Sequence, residues 1–408
     1  MAVYTYTKQI PIGEEYDVIV VGAGPSGVAA AIASARTGAK TLLLERSGAP
    51  GGMWTGGLVN PLFDGENKTG IMREILTELK EQNAFGGFWN ITYNFETLKG
   101  ILDEKLAVSG VTVLYDTTLT DVRKEGNRVT GIVAQEKGGE VLYPCKVAVD
   151  CTGDAYLTYL SGGAYDVGGE HNECQSMTLM FYVGGVTFMQ QGANDLSKMI
   201  DEAVEKYGLN YRLPFRQPYV IRIPNTSTAV VQLTHMYGVN PLSTREISQA
   251  YAEGRKQARE VFHVMKTYIP EFKDMELLLT APMLGIRESR RIVGEYTLTV
   301  EDLVEGRKPK DSLCICTFNI DVHQANSVEQ KNRGVQPYGI PYRSLIPKGL
   351  EGLLVAGKTI SGTHEAMASY RVTGNCVAMG EGAGKAAALS ALTCRSVREI
   401  AIEEILAE

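Results

Sequence analysis

The chain has few of the features that mark secreted, membrane-embedded or metal-binding proteins. Its seven cysteines are an odd number scattered over 408 residues and include no Cys-x-x-Cys pair, so neither a disulfide framework nor a zinc or iron–sulfur site is expected. No apolar run has the length of a membrane span, and the first residues show no basic start followed by an apolar stretch. These absences predict a cytoplasmic protein that holds no metal ion.

Positive charge is also scarce. The 40 Lys and Arg residues are outnumbered by 47 Asp and Glu residues, which gives a formal net charge of −7. Because nucleic acids and anionic membranes bind basic patches, we expect neither as a partner. A length of 408 residues exceeds what one hydrophobic core usually supports, so two domains are predicted.

Two cysteines lie close together in the chain, Cys314 and Cys316. Their segment alternates like a β-strand, which would place both side chains on one face. A redox pair and two half-buried core cysteines both fit this spacing, and the second reading is favoured because cysteine is commonly buried.

Glycine, by contrast, is abundant, with 44 residues, and three of them form the most informative motif. Gly22-x-Gly24-x-x-Gly27 follows a short apolar run and opens a stretch of small residues typical of a helix. In this arrangement Gly22 permits a tight turn, Gly24 lets the backbone approach a pyrophosphate, and Gly27 lets helix and strand pack closely. Pro25 and Ser26 lie at the helix N-terminus, whose free N–H groups favour phosphate.

A second apolar run, Thr41–Leu44, ends at Glu45, where a carboxylate can accept hydrogen bonds from ribose hydroxyls. Arg46 follows, and the next glycine pair offers a second backbone approach to phosphates within Gly51-Gly52-Met53-Trp54-Thr55. Since strand, turn, helix, strand and acid occur in this order, we interpret residues 16–45 as a dinucleotide-binding unit.

Near the other end of the chain, an apolar run again leads through a loop into a helix of small residues. The segments are Gly352-Leu353-Leu354-Val355-Ala356-Gly357-Lys358, Thr363-His364-Glu365-Ala366 and Arg371-Val372-Thr373-Gly374-Asn375. A nucleotide site closed by both ends of a chain resembles the two-domain flavoproteins of the glutathione-reductase-like fold. This resemblance implies that the last helix points its N-terminus at the pyrimidine ring of a flavin.

A closer resemblance is to a family of FAD-dependent oxidoreductases, through the motifs 285–295, 340–347 and 364–366, and it spans residues 14–390. It implies FAD as the cofactor and an α/β fold. We expect a Rossmann-type FAD-binding domain with a parallel sheet, helices on both sides and a crossover β-meander, and an inserted α+β substrate domain. The predicted boundaries are 14–165 and 335–395 for the FAD-binding domain, 166–334 for the substrate or cap domain, and 1–13 for an N-terminal extension strand.

The resemblance further implies contacts along the cofactor. A backbone group near Leu119 would receive the adenine, and Gly153 with Asp154 would lie near the pyrophosphate or the ribityl chain. For that turn, an ordinary Asp-rich turn is the alternative. The predicted cofactor-binding residues share positions at strand ends, glycine turns and helix N-termini: Gly22, Gly24, Pro25, Ser26, Gly27, Glu45, Arg46, Gly52, Met53, Thr55, Leu119, Gly153, Asp154, Gly357, Arg371, Val372, Gly374 and Asn375.

In such an enzyme the flavin performs the hydride chemistry, and the protein supplies charge and a proton acceptor or donor. His364, expected in the loop before the last helix, is the first candidate, because the ordinary pKa of imidazole lies near working pH. A histidine that caps the loop or bonds the flavin is the alternative. Arg371 would anchor a substrate carboxylate or oxyanion, or hold negative charge on the reduced cofactor, unless it only pairs with Glu365.

Arg287, Arg290 and Arg291 put three guanidinium groups within five residues, with Glu288 between them. If this segment is helical, Arg287 and Arg290 share one face and form a fork for a carboxylate. An ion-pair cluster is the favoured alternative, although the resemblance places the motif near the flavin. His323 and Tyr338 complete the catalytic candidates.

The middle of the chain has no second Gly-x-Gly-x-x-Gly after a strand, so no dedicated NAD(P)H domain is expected. The first hypothesis is an FAD-dependent oxidoreductase that transfers a hydride between a small-molecule alcohol, sugar or amine and non-covalent FAD. The alternatives are a reductase of an activated C=C bond fed by an electron-donor partner, and a flavin-binding protein without turnover. An electron-acceptor partner and a homo-oligomer are left open.

Overall fold

The computed structural model describes residues 4–186, 193–328 and 330–407. The strands are β1 (Tyr16–Val21), β2 (Thr41–Leu44), β3 (Phe85–Gly86), β4 (Thr92–Tyr93), β5 (Thr112–Leu114), β6 (Thr118–Glu125), β7 (Arg128–Glu136), β8 (Gly139–Asp150), β9 (Tyr165–Val167), β10 (Phe181–Gly184), β11 (Tyr219–Arg222), β12 (Ala229–Gln232), β13 (Glu276–Thr280), β14 (Arg290–Ile292), β15 (Ser312–Cys316), β16 (Ile320–His323), β17 (Gln330–Arg333), β18 (Tyr338–Pro341) and β19 (Leu353–Val355). The α-helices are α1 (Pro25–Arg36), α2 (Gly70–Glu81), α3 (Phe95–Val108), α4 (Tyr156–Leu160), α5 (Ala193–Tyr207), α6 (Thr244–Tyr268), α7 (Val300–Val304), α8 (His364–Tyr370), α9 (Thr373–Thr393) and α10 (Ile402–Leu406).

A parallel sheet in the order β5-β2-β1-β8-β19 forms the centre of the molecule. Its strands are nearly all apolar, as expected of strands covered on both faces. Val21 pairs with Leu44 on one side and with Asp150 on the other, so the strands end side by side at one edge. Loops that leave this edge surround the site described below.

Strand β8 belongs to two sheets. Its first half pairs antiparallel with β7, with Ala134 opposite Val141, and β6 extends this meander. Its second half pairs parallel with β1 and β19, with Ala148 opposite both Ile19 and Leu353. The predicted fold class, a Rossmann-type domain with a crossover β-meander, is confirmed.

Helices α1 and α9 join the two ends of the chain against the parallel sheet. A Cβ atom added at Gly380 would lie 2.1 Å from the carbonyl oxygen of Ser26, and one at Gly384 would lie 2.1 Å from that of Ala30. Only glycine allows helices to approach this closely, which explains the small residues of both segments. The nucleotide-binding unit is therefore completed by residues near the C-terminus.

An antiparallel sheet in the order β11-β12-β10-β13 lies within the predicted substrate domain. Its apolar residues pack with α5 and α6 into a core of their own, which includes Phe181, Val231 and Phe272. The boundaries of the domains stay a prediction. Other residues between 177 and 284, such as Leu179 and Met236, share the large core that contains the parallel sheet.

Several local predictions differ from the structure. Within the predicted N-terminal strand, residues 1–3 lie outside the described residues, and residues 4–13 form only one bridge, between Ile12 and Leu142. The alternating apolar pattern is too short there to add a full strand. His364, predicted in a loop, opens helix α8, whose N-cap is Thr363. The segment 287–291 is not helical: residues 287–289 have no regular secondary structure, and Arg290–Ile292 pairs with Tyr165–Val167.

Within the described residues, no helix combines the length and apolar character needed to cross a bilayer. Over the same residues, no group of three or more His, Cys, Asp or Glu side chains is arranged to hold a metal ion. All seven cysteines are free thiols, with Cys316 buried and Cys314 half-buried.

Candidate functional site

A cavity of about 460 Å³ lies at the edge of the parallel sheet where β1, β2, β8 and β19 end. Open α/β sheets bind their ligands at this edge, and the volume is that of a ligand site. Residues from the predicted substrate domain, Pro241, Leu242, Met283 and Leu284, line the same cavity.

The predicted glycine motif forms one wall. Gly22 has φ +97°, and a Cβ there would lie 2.5 Å from the carbonyl oxygen of Cys151. A Cβ at Gly27 would lie 1.7 Å from the carbonyl oxygen of Gly22, so Gly27 serves helix packing and does not itself line the cavity. A Cβ at Gly24 would meet no protein atom within 4 Å, although Gly24 lines the cavity together with Pro25 and Ser26. Only a ligand could therefore be displaced by a side chain at position 24.

Glu45 and Arg46 line the cavity where β2 ends. The Glu45 carboxylate is 5% exposed and accepts hydrogen bonds from Ala23 N at 2.7 Å and Ser47 N at 2.8 Å. These bonds hold the carboxylate in one orientation at the place predicted for ribose recognition.

The second glycine pair supports the same wall. Gly52 has φ +52°, and a Cβ there would lie 3.0 Å from Gly24 Cα, so its backbone lies against the first turn. Gly52 and Met53 line the cavity. Thr55 does not, because its hydroxyl donates to Pro50 O at 2.6 Å and is buried in the turn.

The turn after β8 and the turn after β19 close the cavity. Gly153, Asp154 and Gly357 line it, as does Leu119 from the meander. Lys358 also lines it, and its Nζ donates to Ile286 O at 2.7 Å and lies 4.0 Å from Asp154 Oδ1. Burial lowers the pKa of Lys358, against the opposing charges of Asp154 and Glu288. The sequence did not single out Lys358, because a lysine after a strand belongs to no motif.

The N-terminus of α9 meets the cavity through Arg371 and Thr373. Val372 is the N-cap residue and has no side-chain cap bond. Gly374 and Asn375 lie behind the cavity wall: a Cβ at Gly374 would lie 2.4 Å from Asp64 O, and Asn375 Nδ2 donates to Cys316 Sγ at 2.8 Å. We assign these two to packing of the helix start.

The three clustered arginines point to three different places. Arg290 lines the cavity, with its guanidinium 4.3 Å from the Tyr159 ring centroid, and Nη1 donates to Asp154 O at 3.3 Å. Arg291 is buried in an ion pair with Glu288. Arg287 lies outside the cavity lining and donates to Ser176 O at 2.6 Å. The shared face of Arg287 and Arg290 is predicted for a helical segment; no helix forms here, since Arg287 lies in a loop and Arg290 begins strand β14.

His364 lies outside the cavity lining, and its Nδ1 is 2.9 Å from the carboxylate of Glu288. Burial alone would lower the pKa of His364, but the Glu288 hydrogen bond and the charges of Glu288 and Glu365 outweigh it, and the pKa is raised. Arg371 pairs with Asp321 at 3.3 Å, rather than with Glu365, which is exposed.

The remaining two catalytic candidates are buried away from the cavity lining. The Tyr338 hydroxyl lies 2.8 Å from Ser369 Oγ, in a wholly buried setting. His323 lies between His235 and Asp321, with Nδ1 3.2 Å from His235 Nε2 and Nε2 3.4 Å from Asp321 Oδ2. Neither His235 nor Asp321 was predicted, because they are distant in sequence and belong to no motif.

The cavity has the donors that a dinucleotide cofactor needs. Arg290 Nε, Arg371 Nε and Thr373 Oγ1 are buried and have no hydrogen-bond partner. Buried donors are rarely left unpaired, so Arg290 Nε and Thr373 Oγ1 fit the phosphate oxygens and the polar flavin edge of FAD, and Arg371 Nε fits a further polar group beside it. The open space over Gly24 and the fixed carboxylate of Glu45 fit its pyrophosphate and ribose.

Some known proteins match part of the sequence of this chain, and others share its fold. Thiamine thiazole synthase from Aeropyrum pernix is 37% identical over 123 residues, which are 29% of this chain and 43% of that protein. The enzyme of that name from Pyrococcus horikoshii is 34% identical over 137 residues, 32% of this chain and 51% of that protein. The chain thus spans about half the length of the curated relatives it matches.

Two solved structures share the fold. The flavin-dependent brominase Bmp2 has a TM-score of 0.54 at 17% identity, covering 93% of this chain and 80% of its own. A geranylgeranyl bacteriochlorophyll reductase-like protein from Thermoplasma acidophilum has a TM-score of 0.52 at 16% identity, covering 94% and 80%. At these identities the likeness shows the fold alone. Residues 17–408 match the family described as FAD dependent oxidoreductase, and the chain therefore belongs to that family, with FAD as its cofactor.

Proposed function

We propose that the protein transfers a hydride between a small polar substrate, an alcohol, sugar or amine, and non-covalently bound FAD. The supporting observation is that one cavity joins the dinucleotide-binding turns to the side chains of Lys358 and Arg371. FAD, when bound, supplies the hydride chemistry. The side chains of this chain then have to bind and orient the substrate, exclude water and move one proton.

Apolar residues of the predicted substrate domain exclude water from the cavity. Leu284 is 5% exposed, and Met283 and Ile286 lie beside it on the cavity wall. Such an apolar cover strengthens the electrostatic interactions inside the site and protects a transferring hydride from solvent.

Lys358 is the group we propose as the proton acceptor. It lines the cavity, and burial favours its neutral amine, which can accept a proton from a hydroxyl or ammonium group. His364 is the weaker candidate, because its raised pKa favours the imidazolium and its Nδ1 faces Glu288. Arg371 would orient the polar end of the substrate from the start of α9.

Anaerobic flavin spectroscopy of the purified protein against a panel of alcohols, sugars and amines tests the proposal. Bleaching of the flavin by a panel compound without any added donor supports it. Bleaching only by dithionite, followed by reoxidation with an enoate, would assign the protein to C=C reduction instead. A flavin that responds to neither treatment contradicts both.

A further inference from the structure

Two half-buried arginines beside the cavity, Arg287 and Arg371, lie near a single carboxylate, that of Asp321. Arg371 Nη2 lies 3.3 Å from Asp321 Oδ2 and also donates to Asp321 O at 3.1 Å. Arg287 donates to Ser176 O, and across residues 4–186, 193–328 and 330–407 no carboxylate forms an ion pair with it. The two arginines are close enough that the charge of Arg371 lowers the pKa of Arg287, after the larger effect of burial.

The other groups around Arg287 and Arg371 do not balance the positive charge of these two side chains. Glu288, next in sequence to Arg287, is already paired with Arg291 and His364. His235 and His323 are buried beside the arginines and are neutral, since burial and the charge of Arg287 lower both pKa values. One positive charge is left without a partner, an arrangement that a folded protein tolerates only at high cost.

Polar atoms without partners lie around the same two arginines. Ser176 Oγ and Gln175 Nε2 make no hydrogen bond, and each side chain is 2% exposed. Ser176 is the residue whose carbonyl accepts from Arg287, and Gln175 Oε1 accepts from His323 N at 3.2 Å. Arg371 Nε is likewise buried and unpaired. Together these atoms offer hydrogen-bond donors to one anionic group.

We propose that Arg287 and Arg371, with Ser176 and Gln175, bind the carboxylate of a small organic acid. A planar carboxylate accepts paired hydrogen bonds from guanidinium groups, and its single charge balances the site. The substrate is then a hydroxy acid or an amino acid rather than a neutral alcohol, sugar or amine. This inference rests on the proposed function: Arg371 lines the cavity that receives the substrate, and Arg287, Ser176 and Gln175 lie outside its lining, beyond Arg371.

Binding without turnover provides the test. The FAD-loaded protein is titrated with acetate and benzoate, and with their neutral counterparts acetamide and benzamide, by calorimetry and by perturbation of flavin absorbance. We expect each carboxylate to bind at least tenfold more tightly than its amide. Equal affinities for acid and amide would overturn the inference.

Variants then locate the site. Arg287→Met should weaken carboxylate binding at least tenfold with unchanged FAD content, and Arg287→Lys should restore part of it. Arg259→Met removes an exposed arginine of α6 and should leave binding unchanged. Carboxylate affinity that is unaffected in Arg287→Met and Arg287→Lys would overturn the assignment. If Arg287→Met does not fold, Arg287→Lys and the comparison of acid with amide still decide.

The two proposals can fail separately. If carboxylates bind through Arg287 but no hydroxy acid or amino acid reduces the flavin, the hydride-transfer function is refuted and the anion site stands. If a neutral alcohol reduces the flavin and the protein binds carboxylates no more tightly than amides, the function stands and the anion site is refuted.

Discussion

His235 Nε2 lies 3.2 Å from His323 Nδ1, and the two imidazoles form a buried, uncharged pair. Phe215 stacks on His235 with ring centroids 3.9 Å apart. Burial, together with the positive charge of Arg287, lowers the pKa of His323 to about 3 and that of His235 well below its ordinary value. One ring must donate and the other accept, and only a neutral imidazole has an accepting nitrogen, so the pair cannot hold two charges.

This pair predicts a loss of stability in mild acid. Below about pH 6.5 the unfolded chain protonates both histidines while the folded chain does not, so the free energy of unfolding falls as pH falls, by about 1.4 kcal/mol per pH unit for each histidine. Urea unfolding between pH 7.5 and pH 4.5 measures the slope. His323→Gln should reduce it, and His263→Gln, at an exposed position of α6, should not. Equal slopes in all three proteins would contradict the neutral pair.

Gly24 and Gly27 should respond differently to substitution. Gly24→Val should fold and lose FAD, because the added Cβ meets no protein atom within 4 Å and the side chain takes up cofactor space. Gly27→Val should fail to fold, since its Cβ would overlap the Gly22 carbonyl. Flavin content and thermal unfolding measure the two effects, with Gly100→Val on α3, also in open space, as the control that keeps FAD. Full FAD content in Gly24→Val would contradict the assigned phosphate wall.

Arg287 and Arg291 form a second contrasting pair. Without added carboxylate, Arg287→Met should not lower the free energy of unfolding, because it removes a buried charge that lacks a counter-ion. Arg291→Met should lower it by about 3–5 kcal/mol, because the wholly buried Glu288 carboxylate loses the guanidinium and keeps His364 as a weaker partner. Chemical denaturation of the FAD-loaded variants measures both free energies of unfolding. Similar destabilisation in both would show that Arg287 is already compensated in the folded protein.

Lys358 and His364 compete for the role of proton acceptor. With a substrate that reduces the flavin, Lys358→Met should slow reduction by about 10²–10⁴-fold while FAD stays bound. His364→Ala should stay within about threefold, because His364 lies outside the cavity lining. Stopped-flow measurement of flavin reduction compares them, and the reverse order of effects would return the role to His364.

The flavin should be released by acid. A covalent link to a flavin needs a nucleophilic side chain such as that of His or Cys, and residues 45–60, which include the second glycine pair, contain neither. Of the two cysteines that line the cavity, Cys376 has its pKa raised to about 12 by burial, and burial also raises that of Cys151, so neither is a reactive thiolate. Acid precipitation should leave yellow supernatant and colourless pellet; flavin retained in the pellet would contradict non-covalent binding.

The sequence predicts the parts of this molecule that local patterns determine. Strand β2 has the predicted bounds Thr41–Leu44, and Asn94 caps α3 through hydrogen bonds to Glu96 N and Thr97 N. The glycine turns lie at the cavity because their spacing is itself the condition for phosphate binding. Such signals depend on neighbours within a few residues, so they need no tertiary information.

The contacts made by the arginines could not be predicted from the sequence, because they join residues that are far apart in the chain. Helical spacing would place Arg287 and Arg290 on one face, but Arg290 pairs with β9 as part of a strand and no helix forms. His235 and His323 are separated by 88 residues, and Arg287 and Ser176 by 111. No periodicity encodes such contacts, which form only when distant strands meet.

The double membership of β8 has a consequence for biosynthesis. The half that pairs with β7 can form as soon as residues 128–144 leave the ribosome, because the meander is local. The other half gains its partner strand β19 only when Leu353–Val355 have been made, and α1 is covered only when Gly380 and Gly384 of α9 have been made. Translation must therefore pass residue 384 while one edge of β8 and one face of α1 are uncovered, a state in which nascent chains are prone to aggregate.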